Sequence, residues 1–229
     1  MSRAGRFGPD APDGVAYLPL AGGEMTGDIT MAGAQKVDGI DISTHAADLD
    51  AHTRNIFEVV DTAQYICSVN ATPSDAEVAL VANKLYFAPL VVARKMTLDR
   101  IAIFVHTLAD GTSIRLGIYN LNATLQPSSL VLDAGVVDAS TTGLKEITIS
   151  QQLTKGIYAL AFVSDGTPSI HSSSGGGYSI WGCDTGLSGY PRYTLFAFQA
   201  YGALPATAPA ITSYSRYTYN IVARASSLD

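Results

Sequence analysis

From residue 84 onward, apolar and polar positions alternate in short runs, the period-two pattern of strands with one buried face. Runs over 86–95, 98–107, 113–121, 130–138, 146–152, 156–164, 193–201 and 217–225 are predicted as strands. In the second run Ile101, Ile103 and Val105 share one face, with Arg100, Ala102 and Phe104 on the other. In the third, Ile114, Leu116 and Ile118 point inward, and Arg115 and Tyr119 outward. Asp110-Gly111, the Ser/Thr/Gly cluster at 140–143 and Thr154-Lys155-Gly156 supply the turns. Short strands with polar turns at regular intervals predict a mainly β protein whose residues 84–229 form a jelly-roll-like β-sandwich head, not a parallel βαβ array. Residues 67–83 read as a connector, in which 74–82 suits a short helix capped by Ser74 and a strand equally well.

Before residue 67 the pattern changes. Residues 43–66 carry a helical signal, with Ser43 or Thr44 as cap and Asp48 and Asp50 in the early turns. Ile42, Leu49, Ile56 and Ala63 recur every seven residues, one stripe of a short coiled coil. The second stripe is either His45, His52, Val59 and Ile66 or Ala46, Thr53, Val60 and Cys67. A trimeric stalk is the expectation; a single helix packed on the following domain is the alternative. In the first register His45 and His52 of three chains would meet on the axis. Two histidines without a carboxylate partner are a weak metal signal, and neither metal nor cofactor is assigned.

Residues 18–42 read as short strands broken by Gly22, Gly23, Gly27, Gly33 and Gly39. Such a segment buries too little surface alone to offset its ordering entropy, so an intertwined β segment shared by identical neighbours is expected. Residues 1–17 hold the breaker clusters Gly8-Pro9-Asp10 and Pro12-Asp13-Gly14 and predict a tail that needs another surface to order it.

Charge sharpens this division. Residues 1–65 hold all of the net charge of −6, and residues 66–229 carry equal numbers of acids and bases. A neutral head has no basic field for nucleic acid. No apolar run has the length of a membrane helix, and no apolar stretch follows Met1–Arg6 as a secretory signal requires, so neither membrane insertion nor secretion is expected. Cys67 and Cys183 are expected as buried free thiols rather than a disulfide.

Catalytic signatures are missing: no G-x-S-x-G, H-E-x-x-H, P-loop or dinucleotide fingerprint occurs. His171 precedes Ser172-Ser173-Ser174, but no third group orients such a pair, and a flexible polar loop is the preferred reading. Asp133, Asp165 and Asp184 lack the dense spacing of a calcium loop. The stretch 166–192 interrupts the strand rhythm and is read as one long loop, the kind that carries function. It holds Tyr178, Asp184, Tyr190 and the only tryptophan, Trp181, with Tyr193 just beyond. Flat aromatic faces beside carboxylate and amide groups suit a neutral glycan, and these five residues are the candidate glycan contacts. Packing of the same rings in the core or at an interface is the alternative.

The segment Leu18-Pro19-Leu20-Ala21-Gly22-Gly23-Glu24-Met25-Thr26-Gly27-Asp28-Ile29 resembles the L-x-L-A-G-G-x-M-T-G-D-I motif of bacteriophage tail-fibre and head-fibre proteins. Val37-Asp38-Gly39-Ile40-Asp41-Ile42-Ser43 and His45-Ala46-Ala47-Asp48 resemble its usual continuation. The resemblance implies a homotrimer made in the host cytoplasm and carried on the virion surface, with residues 1–17 attached to other virion proteins. The expected function is binding of a host cell-surface carbohydrate by the head, without catalysis. Two other classes remain: a structural head-fibre, decoration or adaptor protein, favoured if 203–214 forms an apolar docking surface, and a glycan-degrading enzyme, which needs a carboxylate pair that the sequence does not offer.

Overall fold

The computed structural model describes residues 36–37, 40–41, 62–67, 76–174, 179–182 and 192–228. The chain divides into two units, Met1–Arg54 and Asn55–Asp229. In the first, β1 (Lys36–Val37) pairs antiparallel with β2 (Ile40–Asp41), on either side of the hairpin dipeptide Asp38-Gly39 in the sequence.

The second unit is built of two antiparallel sheets. The six-stranded sheet contains β5 (Lys84–Val92), β7 (Ser113–Leu121), β8 (Pro127–Asp138), β10 (Gly156–Ser164), β12 (Thr194–Phe198) and β13 (Ser213–Ser215), in the order β13-β12-β5-β10-β7-β8. The seven-stranded sheet contains β3 (Tyr65–Cys67), β4 (Ala76–Ala79), β6 (Met96–Thr107), β9 (Gly143–Leu153), β11 (Ser169–Ser174), β14 (Tyr217–Tyr219) and β15 (Ile221–Leu228). Its path is β14-β11-β6-β15-β3, with β4 on β11 and β9 on β6. From β5 to β7 and again from β8 to β12, every connection crosses from one sheet to the other.

Each predicted strand is present. Ile101, Ile103, Val105, Ile114, Leu116 and Ile118 are fully buried between the sheets, as alternation required. Tyr86 and Phe162 stack at 5.0 Å from the six-stranded sheet, and Tyr219 of the other sheet meets them at 4.8 and 5.5 Å. Side chains of this size contribute roughly 1.5–3 kcal/mol each on burial. Among the described residues no helix is long and apolar enough to cross a membrane.

A second apolar layer lies outside the six-stranded sheet. Leu85, Phe87, Tyr119, Ala159, Ala161, Val163, Leu195 and Ala197 face away from the sandwich core, yet all are buried. The chain between β12 and β13 covers them, with Leu204 buried and Tyr201, Ala208 and Ile211 packed on the same cluster. Small residues at 117, 159, 161 and 197 let this segment lie close to the sheet. It is pinned by backbone polar groups: Tyr201 N–H donates to Asn83 Oδ1 (2.8 Å), Leu204 N–H to Asp133 Oδ2 (3.1 Å) and Tyr119 O–H to the Pro205 carbonyl (2.8 Å). Tyr119, expected outward, is therefore outward and fully buried. Much of 203–214 is spent on the protein's own sheet rather than offered as a docking surface.

Pro89 lies inside β5, a position that removes a ladder hydrogen bond. It is accommodated because β12 pairs β5 only from Lys84 to Phe87, which leaves Pro89 with β10 alone as neighbour.

Several expectations are corrected. The helical stretch predicted over 43–66 does not reach its end. Ala63 takes a left-handed φ of 69°, its N–H donates to the Ala225 carbonyl at 2.8 Å, and β3 pairs with β15. The open edge of β15 offers hydrogen-bond partners that outweigh helix propensity. Ile42, Leu49, Ile56, His45 and His52 lie outside the described residues. Of the two alternatives left open over 74–82, helix or strand, the structure has the strand β4 at Ala76–Ala79. The stretch read as one loop over 166–192 begins with β11, which pairs with β4, β6 and β14. Ser172 and Ser173 are thus buried strand residues, not loop residues. Cys67 is free and exposed on β3, not buried; Cys183 lies outside the described residues.

Two outcomes follow. A Cβ at Gly117 would overlap Leu204 Cδ1 and sit 2.5 Å from the Leu132 carbonyl oxygen. Gly117→Ala is expected to lower stability by about 1–3 kcal/mol, read by thermal melting, and an unchanged Tm would show that the outer layer is not tightly seated. On the outer face of the other sheet, Arg224 binds Asp99 through two hydrogen bonds (2.9 and 2.7 Å). These bonds hold the Asp99 carboxyl below its usual range. A depressed carboxylate adds stability above its unfolded pKa and loses it as pH falls through the folded value. Asp99→Asn is therefore expected to lower stability at neutral pH and to flatten the acid limb of the stability–pH curve.

Candidate functional site

The candidate site is the corner where the β7–β8 turn meets Trp181. Residues 122–126 form a turn organised by one side chain. Asn122 Oδ1 accepts from Thr124 N–H (2.9 Å), Thr124 Oγ1–H (2.8 Å) and Gln126 N–H (2.9 Å). Asn is suited to this role because its short amide satisfies backbone donors that a tight turn leaves open. Leu125 is held at φ 58°, unusual for a branched side chain, and its carbonyl accepts the Trp181 indole N–H at 2.7 Å. Strain of this kind persists only where surrounding contacts hold it.

Trp181 is gripped from its own segment as well. Its N–H donates to Ser179 Oγ at 3.1 Å, the Ser179 hydroxyl donates to the Arg192 carbonyl, and Arg192 N–H donates to the Gly182 carbonyl at 3.0 Å. Gly182 has φ +73°, where its missing side chain avoids strain. The indole packs on the outer apolar layer and remains partly exposed. The Arg192 guanidinium lies 5.0 Å from the Tyr214 ring centre.

Among the described residues the immediate surroundings of the indole are mostly polar. Asn122 and Thr124 are exposed, Gln126 is half-buried, and Asn120 Nδ2 donates to Ser129 Oγ at 2.9 Å. Neither 120–129 nor 179–182 contains a charged residue; Arg192 is the nearby cation. An aromatic ring edged by amides and hydroxyls can hold a ligand that presents both C–H faces and hydroxyl groups.

Of the five candidate glycan contacts, the structure describes Trp181 and Tyr193. Tyr193 is 5% exposed, its ring turned into the protein. Tyr178, Asp184 and Tyr190 lie outside the described residues. The 122–126 turn was missed by sequence reading, although the run Asn122-Ala123-Thr124-Leu125-Gln126 carried an Asx-turn signal. The aspartates weighed for calcium have other partners: Asp133 binds Arg115 Nε (2.8 and 3.0 Å), and Asp165 accepts from Ser113 N–H (2.7 Å). Among the described residues no group of three or more His, Cys, Asp or Glu is arranged to hold a metal ion.

No family model matches the chain, and no curated protein matches it. A solved structure that it resembles is "The crystal structure of the cysteine protease and lectin-like domains of Cwp84, a surface layer associated protein of Clostridium difficile", at TM-score 0.41 and 12% identity. The match covers 69% of this chain and 37% of that one, and a likeness this distant carries no argument.

Removing the indole donor tests the corner itself. Trp181→Phe keeps a ring on the apolar layer but leaves the Leu125 carbonyl without its partner. The expected loss is about 1 kcal/mol, with faster amide exchange in 122–126. Unchanged exchange there would mean that Trp181 does not hold the turn.

Proposed function

We propose that this chain is a homotrimeric bacteriophage fibre or fibre-tip protein whose jelly-roll-like β-sandwich head binds a host cell-surface glycan. The observation that carries the fibre reading is the motif Leu18 to Ile29 with its continuation to Asp48. The reading places residues 1–17 against other virion proteins and gives the trimer contacts to 18–42 and to a short coiled-coil stalk. The glycan reading rests on the corner at Trp181. There a partly exposed indole, fixed by the Leu125 carbonyl, borders the neutral groups of Asn122, Thr124 and Gln126. The balanced charge of residues 66–229 suits an uncharged ligand. Three copies on one trimer turn weak single-site binding into useful avidity. The reading assigns no catalysis.

A second reading, a structural decoration or adaptor protein, is favoured by Phe198. This residue is 65% exposed at the end of β12, beside Phe196, an apolar group available to a protein partner.

Because Trp181 is the only tryptophan, its fluorescence reports the candidate site directly. Titration of the full-length trimer with host surface polysaccharide is expected to shift its emission saturably. Asn122→Ala and Trp181→Ala should each reduce polysaccharide retention at least tenfold while leaving the trimer intact by light scattering. A folded trimer that retains no host polysaccharide and shows no emission change would move the reading to the structural role.

A further inference from the structure

Tertiary structure brings together two histidines that are far apart in sequence. His106 lies near the end of β6 and His171 in β11, and their ring centres are 5.2 Å apart with planes at 44°. Both are held from the side. Glu77, on β4 directly opposite His171, reaches over β11 so that its Oε2 lies 2.9 Å from His106 Nδ1. The same oxygen accepts from Thr107 Oγ1–H at 2.8 Å, which fixes the carboxylate. Phe104 stacks on His171 at 4.1 Å and 27°, which fixes that ring. The patch is open to solvent, the His106 and Glu77 side chains being 39% and 43% exposed.

We propose that His106 and His171 form a two-imidazole binding site for a divalent transition-metal ion such as zinc, nickel or copper, with Glu77 as the positioning carboxylate of His106. The chemistry is that of metal-binding histidines elsewhere: Nδ1–H donates to a carboxylate, which leaves the Nε2 lone pair for the ion. The spacing is compatible. An ion ~2.1 Å from one nitrogen of each ring lies ~3.2 Å from each ring centre, and two such centres at the observed separation subtend ~109° at it, the tetrahedral angle. Water fills the remaining positions, consistent with the lack of a third ligand in the described residues. The ion would tie β6 to β11, the junction at which the register between these strands shifts.

The test uses full-length, tag-free protein, titrated with zinc and nickel chloride by calorimetry and with copper(II) followed by electron paramagnetic resonance. One equivalent per chain is expected at this site, with two coordinated imidazole nitrogens in the copper spectrum and a Tm that rises with added zinc. His106→Gln and His171→Gln should each remove that equivalent, and Glu77→Gln should weaken it about tenfold. His45→Asn with His52→Asn should leave it in place. Unchanged stoichiometry in the His106→Gln/His171→Gln double variant would overturn the proposal. So would loss of the equivalent on removing His45 and His52, or a copper spectrum of the native protein with fewer than two imidazoles.

Discussion

The six-stranded sheet must be covered on both faces, and much of the head follows from that requirement. β5 and β10 are apolar at nearly every position, so no single partner layer can hide them. One face meets the seven-stranded sheet. The other would expose Leu85, Phe87, Ala159, Ala161 and Val163 if the chain between β12 and β13 did not fold back over it. That segment is irregular and carries backbone polar groups that need partners. Asn83, Asp133 and Tyr119 supply them, so these three residues secure the second layer as much as its apolar contacts do.

The seven-stranded sheet answers to the opposite condition. Among the described residues its outer face carries charged and partly exposed side chains. Arg224 and Asp99 form a two-point pair across β15 and β6, while Glu77, His106 and His171 cluster across β4, β11 and β6. Surface pairs of this type add little to stability singly. Their value lies in side chains held in fixed relation on a rigid sheet, which is what a binding site needs.

The corner at Trp181 joins these themes. The indole closes the rim of the second layer with its ring and uses its N–H to hold a strained turn. The ring is placed by packing, and its exposed edge is available because the layer ends there. A residue placed by the core can thus present a fixed, partly exposed edge, which is the feature the proposed glycan reading rests on.

The sequence by itself determined eight strand regions from residue 84 onward, their inward faces and a mainly β class, because period-two alternation is written residue by residue and follows from strand geometry alone. Tertiary structure alone decided what supplies the second cover, since alternation says which residues are hidden and not what hides them. It decided the fate of 62–67, where the open edge of β15 recruits residues of helical pattern into β3. It also turned His171 from a loop residue into a strand residue beside His106. Strand pairing joins positions of any sequence separation, so the partners at the Trp181 corner and in the histidine patch had no local pattern from which to be read.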